Sequence, residues 1–217
     1  METSVRDKKY WITILPALVW QAAYLTVCNS FDKDTRVYCD LAFYLGIAVY
    51  FTLWHDWSLS EWRNAAKQGR AFWLPVVATA LGMAAMFGAG TLLSMVFPNA
   101  DDGMGVFGVN TWPALVAFAF TTILLPPVAE ELFYRKAVMS FGSTVVLAVT
   151  AIVSVLLYAS EHSLSPLGFA QACLWAIPLS IAYITTKNVY VCMTAHLLCN
   201  LAFNGATVAM TAVTMMR

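Results

Sequence analysis

The stretch AFWLPVVATALGMAAMFGAGTLLSMVFPNA, residues 71–100, carries no charged side chain. A membrane-spanning helix needs roughly 20 mostly apolar residues at about 1.5 Å rise each, so this run alone is long enough to cross a bilayer. Charge-free runs at 10–31, 41–55, 103–129, 137–160, 163–186 and 188–216 repeat the pattern. The run at 41–55 is short, and His55, Asp56 and Trp57 complete it at headgroup depth. The expected fold class is all-α, a polytopic transmembrane helical bundle of about seven helices, with six to eight as the range.

Composition agrees. Of the 217 residues, 60% are hydrophobic and 11% are charged, against about 25% charged in a soluble domain. So few charges cannot cover a water-facing surface, and the lipid bilayer is the expected partner. The net charge of zero offers nothing to attract nucleic acid. The chain reads as one transmembrane domain over 1–217, with a chemical core at about 113–210 and accessory helices at 10–98.

The N-terminal apolar stretch follows Arg6, Lys8 and Lys9. It is too long for a signal-peptide core of roughly 7–15 residues, and no small-residue cleavage site follows, so it reads as a retained first helix. Orientation comes from Lys and Arg, which accumulate on cytoplasmic loops. A cytoplasmic N-terminus places Arg6, Lys8, Lys9, Arg63, Lys67, Arg70, Arg135, Lys136 and Lys187 inside, and Lys33, Arg36 and Arg217 outside. The expected location is the plasma membrane.

Smaller features concern architecture. Trp11, Trp20, Tyr24, Tyr38, Trp54 and Trp57 read as interfacial anchors. Segment 56–70 reads as a short interfacial helix, capped by Ser60, or as an ordinary basic loop. Gly82, Gly88 and Gly90 permit close helix contact, and Pro113 suits the first turn of a helix. The five cysteines form no CxxC pair. Cys28 and Cys39 flank one loop at a separation that permits a disulfide, and Cys173, Cys192 and Cys199 read as small apolar residues.

Chemistry begins at LLPPVAEELFYRKAV, residues 124–138. Glu130 and Glu131 follow Pro113 by a long uncharged stretch, which puts Glu130 about 25 Å along a helix and still at membrane depth. A charged group there costs roughly 2.5–3.5 kcal/mol on insertion scales and normally faces a cavity or a partner. Arg135 stands one turn after Glu131, in the favourable order for an ion pair. Glu130 points about 100° away with no local partner. Glu131–Arg135 therefore reads as a structural pair and Glu130 as the reactive group, because a poorly solvated carboxylate is the stronger base near neutrality. Pro126 and Pro127, one turn upstream, should kink the helix and free backbone groups.

Two further polar clusters lie in apolar runs. YASEH places Tyr158 and His162 on one helical face, and HLLCN does the same for His196 and Asn200, with Asn204 extending the stripe. Polar groups in such helices face the bundle interior, so these faces should meet around one site. One geometric difficulty stands. A turn near Gly142 and Ser143 would leave Glu130 about 18 Å and His162 about 30 Å away along their helices, so tilt, the proline kink or a later turn must close the gap.

EELFYR, YASEH and HLLCN resemble, in order, the EExxxR, FxxxH and HxxxN motifs of the CAAX protease and bacteriocin-processing family, over roughly residues 120–210. The resemblance implies a glutamic-type intramembrane endopeptidase, independent of metal and cofactor, acting on a membrane-associated protein or lipidated peptide. It implies that Glu130 and His162 hold and activate the attacking water, that His196 and Asn200 stabilise the oxyanion, and that Glu131 and Arg135 brace the site. Tyr158 stands where the family pattern has Phe and adds a hydroxyl. Glu161 is an extra carboxylate, read as a solvated helix-end charge in preference to a partner of His162. Three other readings remain open. A zinc hydrolase lacks an HExxH string here. A proton-coupled transporter or a non-proteolytic family member acting as a scaffold or on acyl substrates would use the same polar cluster. A structural membrane protein would leave Glu130 without a purpose.

Overall fold

The structure, a computed structural model, describes residues 2–54, 57–105 and 107–217, with the side chains of residues 2–13 and Asn29 outside that description. The expectations for Arg6, Lys8, Lys9, Trp11, His55 and Asp56 therefore lie outside the described residues.

Among the described residues, eight helices follow one another: α1 Glu2–Val27, α2 Lys33–Leu53, the short α3 Leu59–Ala66, α4 Arg70–Val96, α5 Trp112–Ala137, α6 Thr144–His162, α7 Pro166–Thr186 and α8 Val189–Met215. No strand occurs among the described residues. Six of the helices, α2 and α4 to α8, are long and apolar enough to cross a membrane, and the described part of α1, Ile14–Val27, is a shorter apolar helix. The chain is a multi-pass membrane protein. Large apolar side chains such as Leu53, Leu81 and Val145 stand on the outside of the bundle, where lipid tails solvate them.

The helix starts follow local chemistry. Asp32, Ser58, Thr111, Ser143, Ser165 and Asn188 each accept a hydrogen bond from a backbone N–H of the first turn, which satisfies donors the helix cannot. Pro113 and Pro166 sit in first turns, where a missing N–H costs nothing. The cap of α3 is Ser58 rather than Ser60, whose hydroxyl lies 3.0 Å from that of Ser58.

Packing places α4 against α7 and α8, α6 against α7, and α2 against α5. The α4 glycines divide. A methyl group on Gly82 would meet the Pro178 ring at 3.3 Å and one on Gly90 would meet Trp175 Nε1 at 3.2 Å, whereas Gly88 has open space. Tyr24 is not an interfacial anchor: it is buried and donates to Asp40 Oδ1 at 2.9 Å. Trp20, Tyr38 and Trp54 do stand on the outer surface. All five cysteines are free, Cys28 and Cys39 included.

The turn stays at Gly142 and Ser143, where Ser143 caps α6, and the expected depth gap closes through the non-helical backbone that precedes it. Ser140 N donates to Thr150 Oγ1 at 3.0 Å, and Ser154 Oγ donates to the Tyr134 carbonyl at 2.6 Å. Residues 138–143 thus carry the chain onward beyond the end of α5 before α6 begins. The first turns of α6 lie past Ser140, and its C-terminal end rises to the level of Glu130.

Candidate active site

The helix α5 is irregular at the two places that bear on the chemistry. Leu125 N bonds to Phe120 O, five residues back, a π-helical turn just before Pro126 and Pro127. Pro126 has no N–H for the carbonyl of Thr122, four residues earlier. Asn204 of α8 supplies the missing donor at 2.9 Å. The freed backbone group expected at these prolines therefore has a named partner. A second π-helical stretch, Glu131–Ala137, ends where Val138 N bonds to Phe133 O and Met139 N to Arg135 O. The change from a five-residue to a four-residue step skips the carbonyl of Tyr134, and Ser154 Oγ–H takes it. Turns of this kind re-aim side chains and recur at functional sites.

The predicted residues divide between a closed cluster and a cavity. Glu131 and Arg135 are fully buried, with Arg135 Nε 3.4 Å from Glu131 Oε2. Arg135 Nη2 also donates to the Ala176 carbonyl at 3.2 Å, and its guanidinium carbon lies 4.8 Å from the Tyr158 ring centre. The other Glu131 oxygen lies 2.8 Å from His196 Nδ1. A carboxylate paired with Arg accepts, so His196 carries its proton on Nδ1 and turns Nε2 elsewhere. That Nε2 is 3.9 Å from Glu130 Oε2.

Glu130 lines a cavity of about 300 Å³ together with Tyr44, Tyr158, Glu161, His162, His196 and Asn200. Glu130 Oε1 lies 2.9 Å from the Tyr44 hydroxyl, while Oε2 has no hydrogen-bond partner among the described residues. His162 Nδ1 lies 3.0 Å from the Tyr158 carbonyl and 2.7 Å from Glu161 Oε2. A backbone carbonyl only accepts, so Nδ1 is again the donor and Nε2 is left for the cavity. The Tyr158 ring stacks on the His162 ring with centres 4.2 Å apart.

Glu161 corrects an expectation. It is buried rather than solvated, and it pairs with His162. The end of α6 is enclosed because Tyr44 reaches it from α2 and the chain at Asp102 lies against it, with Ser163 Oγ donating to the Asp102 carbonyl at 2.6 Å. Donor atoms of Glu130, Glu161 and His162 lie within 4.8 Å of one another, as do those of Glu130, Glu131 and His196.

Sequence reasoning placed all the chemistry in the second half and so missed Tyr44, Asp40, Tyr24 and Arg36, which also line the cavity. A signal did exist: Asp40 is a charge inside the α2 span, and Tyr44 stands one turn later on the same face.

No curated protein and no solved structure matches the chain. Residues 112–202 match the family described as type II CAAX prenyl endopeptidase Rce1-like. The segment of this chain that carries both glutamates, both site histidines and Asn200 is thus similar to the CAAX prenyl endopeptidases, the group its three motifs resemble.

Proposed function

We propose that the chain hydrolyses a peptide bond in a membrane-associated protein or lipidated peptide, as a glutamic-type endopeptidase that needs no metal. The observation that carries this reading is the meeting of Glu130, His162, His196 and Asn200, from three separate helices, around one cavity. Glu130 Oε2 and His162 Nε2 both accept, so one water held between them has its oxygen free to attack. As the water oxygen bonds to the carbonyl carbon, its proton passes to Glu130 and the carbonyl π pair moves onto oxygen. Collapse of that intermediate breaks the C–N bond, and the proton held by Glu130 goes to the departing amine.

The oxyanion needs fixed donors, each worth about 2.7–4 kcal/mol by mutagenesis of comparable sites. The Asn200 amide is one. His196 is the other whenever its ring carries a second proton, because Nδ1–H is committed to Glu131 and an Nε2–H is then the donor left to give. Glu131 and Arg135 hold that ring in place.

The decisive experiment compares membrane proteomes of cells carrying the wild-type or the Glu130→Gln protein. A substrate that stays unprocessed only in the variant supports the reading. Identical processing in both, at equal expression, refutes it, and an activity sensitive to chelator with stoichiometric bound zinc replaces it with a metal mechanism.

A further inference from the structure

We propose that Tyr44 and Glu161 belong to the working site: the Tyr44 phenol bridges Glu130 and Glu161, and the three groups hold one proton between the two carboxyls. The Tyr44 hydroxyl oxygen lies 2.9 Å from Glu130 Oε1 and 2.9 Å from Glu161 Oε1. All three residues are buried. A phenol has a single O–H and donates once. Were both carboxyls ionised, one of them would face the lone pairs of the phenol oxygen with nothing between, a buried and unsatisfied charge. One proton on either carboxyl removes the conflict. That acid donates to the phenol oxygen, and the phenol donates to the remaining carboxylate.

The surroundings leave this pair to solve its own problem. From α1, Tyr24 is committed to Asp40 of α2. From α5 and α8, Glu131 is committed to Arg135 and His196, and His196 Nε2 lies 3.9 Å from Glu130 Oε2, the oxygen turned away from Tyr44. From α6, His162 serves the outer oxygen of Glu161 and not the oxygen that faces Tyr44. Arg36 of α2 lines the same cavity, and no ion pair joins it to either carboxylate. The cations at hand therefore sit on the far sides of the two carboxyls, and the bridge itself carries no positive charge.

The role in turnover rests on the hydrolase reading; the placement of the proton does not. When the acid is Glu130, its proton moves to the phenol oxygen as the phenol proton moves to Glu161. Two O–H bonds break and two form, and Glu130 is left ionised and ready to accept from water. Glu161 meanwhile keeps the His162 ring turned so that Nε2 faces the cavity. Both are positioning residues, since they act on the reaction through Glu130 and His162.

The test is infrared difference spectroscopy on the purified full-length protein in lipid nanodiscs, for wild type, Glu130→Gln, Glu161→Gln and Tyr44→Phe, with thermal unfolding as the fold control. The expected result is a deuterium-sensitive carboxylic-acid C=O band at neutral pH in the wild type. Either glutamine substitution alone should abolish it, and Tyr44→Phe should move its frequency. A wild type without the band, or a band that survives either glutamine substitution, overturns the proposal. In a cleavage assay, Tyr44→Phe and Glu161→Gln should each lower kcat by about tenfold or more with KM changed by less than about twofold. Unchanged kcat in both, with Glu130→Gln inactive, overturns the role in turnover. The expected infrared pattern in a protein that cleaves nothing would leave the shared proton standing and sink the hydrolase reading alone.

Discussion

Glu130 and Glu131 are neighbours on one helix, yet they occupy opposite kinds of surroundings. Glu131 has both oxygens engaged, by Arg135 and by His196, and takes no part in lining the cavity. Glu130 presents one oxygen to Tyr44 and the other to the cavity. A rotation of about 100° per residue separates the two. Chemistry of the side chain is therefore not what assigns the roles. A carboxylate with a partner at each oxygen is fixed in place, whereas one beside a cavity, with an oxygen turned into it, is free to exchange a proton. In the proposed reaction, Glu131 supplies the rigidity on which Glu130 depends.

The comparison can be broken most directly at Glu130. Glu130→Gln keeps the shape and removes the base, so cleavage should fall by about 10²–10⁴-fold while the thermal midpoint in detergent stays at the wild-type value. A variant retaining full activity would show that the reactive carboxylate is elsewhere.

The reverse pattern is expected on the other side. Arg135→Ala leaves the buried Glu131 without its guanidinium partner, which should destabilise the protein by about 3–5 kcal/mol, measured as a lowered unfolding midpoint. An unmoved midpoint would mean that the closed cluster is not what braces α5.

Asn204→Ala sharpens the comparison upstream. It strips the Thr122 carbonyl of its donor at the proline break, with an expected loss of about 1–3 kcal/mol in the same unfolding measurement and a fall in activity as α5 loses its set at Glu130. Loss of stability without any fall in activity would separate the kink from the site.

The smallest effect belongs to an exposed cap. The Asp32 carboxyl accepts from Thr35 N at 2.8 Å, and that hydrogen bond holds it below the usual carboxylate range. A lowered folded value means that the cap contributes fully above the unfolded value and loses its contribution as pH falls through the folded one. Asp32→Ala should therefore lower the midpoint slightly near neutrality and leave it unchanged in strong acid. Unfolding midpoints of the two proteins across that pH interval check this.

Much of the architecture was legible because lipid makes a blunt demand. An uninterrupted apolar run must close its backbone hydrogen bonds within itself, so charge-free segments translate directly into helices. The pairing of Glu131 with Arg135 was equally legible, since it lies within one turn of one helix. Glu161 misled because a charge next to a helix end is ordinarily solvated, and what encloses it comes from α2 and from the chain at Asp102. Tyr44 was silent because a lone tyrosine in an apolar helix has many uses, and only its neighbours across the bundle select one.

By itself, then, the order of residues determined that this chain is a membrane-embedded helical bundle and which polar side chains have no local reason to be there. Only the tertiary structure decided that α2 contributes to the site, that Glu161 is a partner rather than a surface charge, and which nitrogen of each histidine faces the cavity. The reason is one of range. Hydropathy and helical periodicity act within about 20 neighbouring residues, whereas a hydrogen bond such as that between Tyr44 and Glu130 exists only after separate helices have been brought to within 2.9 Å.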